Sequence, residues 1–312
     1  MSSTEGSSVP PDSCGLDYGQ AGPTALRLAL GAQLRRLREA RGITRGAAGE
    51  VLEVSDSRIK GLESGRTACR PCEVTALLAF YGVDDDSERG TLLALAEQSN
   101  APGWWQPYSD VVPAGLQAYL DLEHSADVIR SYEAQGIPDL LQTPDYARAV
   151  VRFGHRGIAA NASEAEVERR VGLRMKRQQI LRRPNPPHLW AVIDESALRR
   201  TVGSTDTTLT QLEHLIDASE HPHITIQMVP FRADAVVGED GPVTILRLPG
   251  GELPDVVCLE PPTGARYPCE PADIEHYRHI MNQLVIEADS PAVTRTALHQ
   301  MLEDILSGAS SP

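Results

Sequence analysis

From Thr24 to about Glu97 apolar residues recur at helical spacing, and capping residues and glycines cut the pattern every ten to twenty positions. A segment punctuated this way is predicted to form a bundle of short helices. Leu26, Leu30, Leu34 and Leu37 make the first stripe, with Arg27, Arg35, Arg38 and Arg41 largely outside it, and Gly42 stops that helix. Thr44 reads as an N-cap, and Ala47, Ala48, Val51 and Leu52 face inward from a second helix of about two turns. Glu53 and Val54 leave room only for a turn. Ser55 is the next N-cap, so a third helix is predicted from about Asp56 to Ser64, with Ile59 and Leu62 inward and Gly65 as its stop. Pro71 suits the first position of a fourth helix carrying Val74, Leu77, Leu78 and Tyr81 up to Gly82. A fifth is predicted from Ser87 to about Glu97. The expectation is an all-α five-helix domain over 25–98, preceded by a Ser-, Gly- and Pro-rich tail at 1–24 that is expected to be disordered.

Charge gives this domain a direction. The chain of 312 residues has a formal charge of -14, which at long range repels nucleic acid. The charge is uneven, however: 27–70 holds ten bases and five acids, whereas 71–312 holds 19 bases and 35 acids. Such asymmetry points to a nucleic-acid module joined to something else, although a basic, solvated helix face would show the same excess. Only Lys60 and Lys176 are lysines against 27 arginines, so anions are met mainly by guanidinium forks.

Two short helices joined by a tight turn, the second polar on its outer face, have the geometry that places a recognition helix in the major groove. Leu34 to Thr44, Val54 to Ile59 and Leu62 to Arg66 together resemble the XRE, or Cro/CI-type, helix-turn-helix. That resemblance implies double-stranded DNA as partner. The family usually has Gln where Arg45 stands, Gly where Glu53 stands and Ala where Gly49 lies, so Glu53 is expected to make the turn at some cost in strain. Asp56, Ser57, Arg58, Lys60 and Gly61 are the candidates to face base edges, and Arg58 could span guanine O6 and N7. Arg45, Ser55, Arg66 and Arg70 are better placed for phosphates. One such unit reads one half-site, so a homodimer on an inverted repeat is expected.

Residues 99–113 have linker composition around Trp104, Trp105 and Tyr108; stacking on a base or ligand is one reading, and packing between domains is the favoured one. Gly115 to Ala134 reads as a helix, Ile137 to Thr143 as a turn, and Tyr146 to Ala149 as part of another helix. Glu164 to Arg183 reads as one long helix with seven bases and three acids, either a solvated face with intrahelical pairs or a docking surface for an acidic partner or for DNA backbone. After Pro184 the period changes. Leu189–Ile193, Ile224–Val229, Val243–Leu248 and Val256–Leu259 read as strands, Thr210–Ala218, Pro271–Ala288 and Pro291–Leu306 as helices. The part from 114 to 308 is therefore expected to be α+β, a small sheet covered by helices.

This part resembles the C-terminal domain catalogued as Scr1 in actinobacterial regulators similar to WhiJ. The carrying segments are Pro102 to Gln106, Leu122-Glu123, Ile137 to Ala149, Arg174 to Leu181 and Ile193 to Arg199, with Asp139 standing where a Gly is usual. The resemblance implies a repressor working with a small acidic partner protein, or responding to a ligand.

The chemistry-bearing residues add little to this. No phosphate-binding glycine loop, Gly-x-Ser-x-Gly elbow or His-Glu-x-x-His pair is present. Asp194-Glu195 follows a strand, but adjacent strand residues point to opposite faces. His276 and His279 lie one helical turn apart without a third ligand, and His221 and His223 flank Pro222. Cys69-Arg70-Pro71-Cys72 could form a redox pair at a helix start, though small loop residues are the plainer reading. No catalytic activity, cofactor or metal is expected. No stretch reaches the roughly 18 apolar residues of a membrane span, and 1–18 lacks a secretory pattern, so a cytoplasmic protein is expected. The competing readings are an antitoxin-like autoregulator that neutralises a partner, and an enzyme carrying a DNA-binding tag.

Overall fold

The capping signals place the helices where local chemistry demands. In the computed structural model, which describes residues 21–113, 115–158, 163–233, 241–251, 253–259, 266–268 and 270–308 (of 154–158, the backbone only), α1 spans Pro23–Ala40, α2 Arg45–Leu52, α3 Asp56–Glu63, α4 Pro71–Phe80 and α5 Asp86–Ser99. Leu26, Leu30, Leu34, Ile59, Leu62, Val74, Leu77, Leu78 and Leu95 share one buried core. The first helix starts inside the stretch expected to be tail: Gly22 donates its amide to Ser125 Oγ at 2.7 Å, and Pro23 takes the first helical position. Residues 1–20 of that tail lie outside the described residues.

The second part begins with a 3-10 turn, Gln106–Tyr108, and α6, Gln117–Ser125. Here one expectation fails. The helix read from Gly115 to Ala134 ends at Ser125, and Val128–Glu133 is a strand, β1, at the middle of the sheet. Both of its edges are occupied by neighbours, and its β-branched start suits that site. Next come a 3-10 turn at Asp139–Leu141, α7 (Pro144–Ile158) and α8 (Glu164–Arg177). The long basic helix is thus shorter than expected, since Gln178–Arg182 tightens into 3-10 geometry. Then follow β2 (His188–Asp194), α9 (Glu195–Arg199), α10 (Thr205–Ala218), β3 (Ile224–Val229), β4 (Val243–Arg247), β5 (Val256–Leu259), α11 (Pro271–Glu287) and α12 (Pro291–Leu306).

The five strands run in the order β3-β2-β1-β4-β5. β1, β2 and β3 are parallel, with Ile129 beside Leu189 and Leu189 beside Ile224. β4 and β5 are antiparallel additions on the other side of β1. One face packs Ile129, Leu189, Ala191, Leu215, Ile226 and Leu298 beneath α6, α10 and α12. The other packs Val192, Ile245, Val257, Met281 and Leu284 beneath α11. An all-α helix-turn-helix domain followed by an α+β domain is the architecture. Among the described residues no helix is long and apolar enough to cross a membrane.

The aromatic residues of 99–113 serve packing. Trp104 donates its indole N–H to the Leu120 carbonyl at 3.2 Å, and Trp105 donates to Asp121 Oδ1 at 2.9 Å. Asp121 is buried and also accepts from Thr24 Oγ1 at 2.7 Å, while Arg27 donates to that same hydroxyl at 2.7 Å. Burial pushes the Asp121 carboxyl above its ordinary range, and the Thr24 and Trp105 donors only partly oppose this. The helical bundle is therefore attached through α1 to α6 by buried hydrogen bonds.

Candidate nucleic-acid interface

The α2–α3 unit is built by two N-caps and one strained residue. Thr44 Oγ1 accepts the Ala47 amide at 3.2 Å, and Ser55 Oγ accepts the Arg58 amide at 3.3 Å. Between the helices Glu53 takes φ 55 and ψ 40, and it is the one non-glycine with positive φ among the described residues. The expected strain is real, since an L side chain in this region costs about 1–2 kcal/mol. Gly49 accommodates the tight return: a Cβ there would lie 2.6 Å from the Val54 carbonyl oxygen. An alanine at this position would clash with the turn as it stands.

The sequence-derived site residues divide into three groups. Asp56, Ser57 and Lys60 are exposed on α3, and Lys60 makes no ion pair among the described residues. Arg45, Arg66 and Arg70 are exposed around them, and Ser55 caps the helix at its base. Arg45 Nε lies 3.2 Å from Asp56 Oδ1 in a solvent-exposed pair of small energetic weight. Arg58 and Gly61 are engaged otherwise. The Arg58 guanidinium turns toward α4, donating to the Ala68 carbonyl at 3.3 Å and lying 3.7 Å from Glu73 Oε1. Gly61 faces Thr67, whose Oγ1 would be 2.5 Å from an added Cβ, and its carbonyl accepts the Arg66 and Thr67 amides.

Glu73 organises this side, and it was not among the residues singled out from the sequence. Its carboxylate accepts the Arg70 amide at 2.7 Å and the Arg70 guanidinium at 3.2 Å. Burial alone would push the Glu73 carboxyl up, but the Arg70 amide and the guanidinium groups of Arg70 and Arg58 outweigh it and hold the carboxyl below its usual range. The signal was available as a capping pattern, an acid three residues after the N-cap Arg70. Cys69 beside it is buried, and burial, followed by the Glu73 charge, pushes its thiol up to about 12. That environment withholds the thiolate that redox exchange requires. Cys72 is exposed, and the two thiols are not bonded to each other.

Further along, the basic α8 spends its charge internally. Arg169 pairs with Asp110, Arg170 with Glu166, and Arg148 of α7 reaches Glu168. Arg177 is buried. It grips Glu123 with two bonds of 2.9 and 2.8 Å, bonds Asp139 at 2.7 Å and lies 5.4 Å from the centre of the Tyr119 ring. Burial opposes the Arg177 charge, but Glu123 and Asp139 more than compensate, so its pKa is raised and the cation persists. Asp139 needs no glycine-like backbone; it starts a 3-10 turn, and despite burial Arg174 and Arg177 hold its carboxyl below the usual range. The docking-surface reading of this helix thus loses most of its cations.

Asp194, Glu195, His221, His223 and His276 have structural partners. Asp194 caps α9 through the Ser196 amide at 2.8 Å, while Glu195 binds Arg199 at 2.7 Å and the Phe231 amide at 2.9 Å. The His221 and His223 rings lie 5.7 Å apart, and His276 contacts Tyr277 edge-on at 5.3 Å. Among the described residues no group of three or more His, Cys, Asp or Glu side chains could hold a metal.

Comparison with known proteins follows the same division. Residues 29–92 match a family described as a helix-turn-helix domain, which points to a DNA-binding regulator rather than an enzyme. No curated protein and no solved structure matches the chain. Residues 116–300, more than half of the chain, match the family described as Domain of unknown function (DUF5753), and the protein belongs to that family.

Proposed function

We propose that the protein is a sequence-specific transcriptional repressor of the XRE type that binds an inverted-repeat operator as a homodimer. In this reading 25–98 binds the DNA, 99–113 connects, and 114–308 takes a signal from a small acidic partner protein or a ligand, as the Scr1-type, WhiJ-like resemblance implies. One observation carries the DNA-binding part. A Ser55-capped helix presents Asp56, Ser57 and Lys60 to solvent, with Arg45, Arg66 and Arg70 around it, on the cationic stretch of an otherwise anionic chain. Arg58 belongs to the reading face once it leaves Glu73, and Gly61 supports the helix end.

The test is operator affinity against salt, using a site selected from random duplexes. Three phosphate-facing cations per protomer, Arg45, Arg66 and Arg70, each neutralising one phosphate, give a dimer a log-log slope of about -5. A flat dependence would refute the phosphate contacts. Operator binding unchanged by neutralising Arg58 and Lys60 together would refute the assignment of α3 as the reading helix.

A further inference from the structure

The cations of α8 are mostly answered from within, but a second arginine cluster, on the sheet face beneath α11, is not. Arg130 of β1 stands in register beside Trp190 of β2 and Ile245 of β4, and Arg247 of β4 stands beside Val128. Strand residues two apart share a face, so Arg130, Trp190 and Arg247 all lie on the side that α11 covers. From α11, Arg278 and Asn282 meet them one turn apart.

Arg130 is poorly compensated there. It is half-buried, and its guanidinium lies 5.4 Å from the centre of the Trp190 ring. Its Nη2 donates to the uncharged Asn282 Oδ1 at 2.9 Å, in a solvent-exposed contact, while its Nε is buried without a partner. No ion pair holds it among the described residues. The carboxylates of this face are already taken. Asp255, its side chain 9% exposed, accepts two bonds from Arg247 at 3.0 and 3.2 Å and lies 3.7 Å from Arg278, which also donates to Glu275 at 2.8 Å. Asp127 precedes Val128 and alternates to the opposite face. Burial, and after it the charge of Arg247, hold the Arg130 guanidinium below its ordinary range; Asp255 opposes this and Arg278 adds to it. Three guanidinium groups thus share two carboxylates, inside a segment, 71–312, that has 35 acids to 19 bases. An anion arriving here meets a cation that has already lost part of its water and has no counter-charge, so less desolvation opposes the contact than at a fully solvated arginine.

The neighbours indicate what carries the anion. Residues 278, 282 and 286 fall on one stripe of α11, and Ile286 at its end is 69% exposed. Trp190 stays partly open beside Arg130. Tryptophan and arginine with an exposed aliphatic group are the composition of a protein interface, whereas a site for a free anion needs no apolar border.

We infer that the face formed by Arg130, Arg247 and Arg278 docks an acidic segment of a partner protein, its carboxylates against the guanidinium groups and an apolar side chain against Trp190 and Ile286. This deepens, and rests on, the reading that 114–308 takes a signal from an acidic partner. None of the residues assigned to DNA lies on this face, so docking and operator binding can be measured apart.

The probe is a fluorescein-labelled peptide of about twelve residues, glutamates with leucine at helical spacing, titrated into the full-length protein and read by polarisation. Its counterpart has glutamine for glutamate. The acidic peptide is expected to bind saturably with Kd of about 0.1 mM or tighter, and the glutamine peptide about ten-fold more weakly. Arg130→Gln should weaken the acidic peptide about ten-fold. Asn282→Glu supplies the missing carboxylate from an exposed helix position, so it should abolish docking with no loss of melting temperature and with operator affinity unchanged. Lys60→Gln combined with Arg66→Gln should lower operator affinity and leave the peptide bound as before. If the acidic peptide fails to bind, binds Arg130→Gln and Asn282→Glu as it binds the wild type, or is lost from the Lys60 and Arg66 variant instead, the face is overturned. Docking that leaves operator affinity unmoved would keep the face and remove the signal reading.

Discussion

Removing Arg177 should unfold the C-terminal part far more readily than removing the carboxylate it holds. Arg177 and Glu123 are both buried, 6% and 1% exposed, and joined by two short bonds. In Arg177→Met the Glu123 carboxylate loses its only cation among the described ion pairs and stays out of water. Breaking a buried pair in this way costs about 3–5 kcal/mol. In Glu123→Leu, by contrast, Arg177 keeps Asp139 at 2.7 Å and the Tyr119 ring, so the loss should be smaller by at least about 1–2 kcal/mol. Asp139 itself retains Arg174 at 3.4 Å in either variant. The double variant, with apolar groups on both sides, should recover much of the Arg177→Met loss. Urea unfolding followed by tryptophan fluorescence measures this, because Trp104, Trp105 and Trp190 all pack within or against the C-terminal part. With an m-value of about 2 kcal/mol per molar, a loss of about 4 kcal/mol moves the midpoint by about 2 M. A shift below about 0.5 M for Arg177→Met, or a double variant no more stable than it, would refute the reasoning.

Three further outcomes are expected. Glu53→Gly should stabilise the bundle by about 0.5–1 kcal/mol, because relief of the left-handed strain exceeds the added entropy of the unfolded glycine; a lower melting temperature would contradict this. Gly31→Ala should cost about 1–3 kcal/mol and weaken operator binding, since a Cβ would sit 2.4 Å from the Leu62 carbonyl oxygen and push α3 from α1; a variant as stable as wild type would show that the contact yields freely. The third concerns pH: a carboxyl whose pKa is raised by folding, as at Asp121, makes stability fall as pH rises from the unfolded carboxylate pKa to the higher folded one, so the melting temperature of Asp121→Asn, taken relative to wild type, should rise across that interval, and a constant difference would remove Asp121 as the cause.

The legible parts of this fold are those specified by neighbours in sequence. Thr44, Ser55 and Pro71 start helices at the positions their side chains dictate, and β3 and β5 occupy the β-branched runs that announced them. β1 was illegible for a local reason. Leu122, Ala126 and Ile129 continue the apolar spacing of α6 into the strand, so period alone cannot find the break at Ser125. The arginine network was illegible for a non-local one: Glu123 and Arg177 are 54 positions apart, and a basic run reads the same whether its partners are water or buried acids. On the exposed side of α2 and α3 the cations could be read from helix phase, but not the turn of Arg58 toward Glu73, which depends on how α4 packs beside α3.

That packing has a consequence for how the two parts can communicate. α1 turns Leu26, Leu30 and Leu34 into the helical bundle and Ala25 into the core beneath α6, so one rigid helix belongs to both. Its near end is fixed by Thr24 on Asp121 and Gly22 on Ser125, and its middle by the close approach of Gly31 to α3. Two residues beyond Asp121 on α6, Glu123 holds Arg177 of α8. The orientation of α3 relative to the sheet is therefore set by buried contacts along α3, α1, α6 and α8, and not by the length of 99–113. In the proposed dimer the two reading helices must stand about 34 Å apart, and a tilt of α1 against α6 changes that spacing directly. Under the proposed reading, a signal taken by the C-terminal part needs only to bias this joint, where Thr24 and Trp105 both donate to the Asp121 carboxylate and Gly22 donates to Ser125.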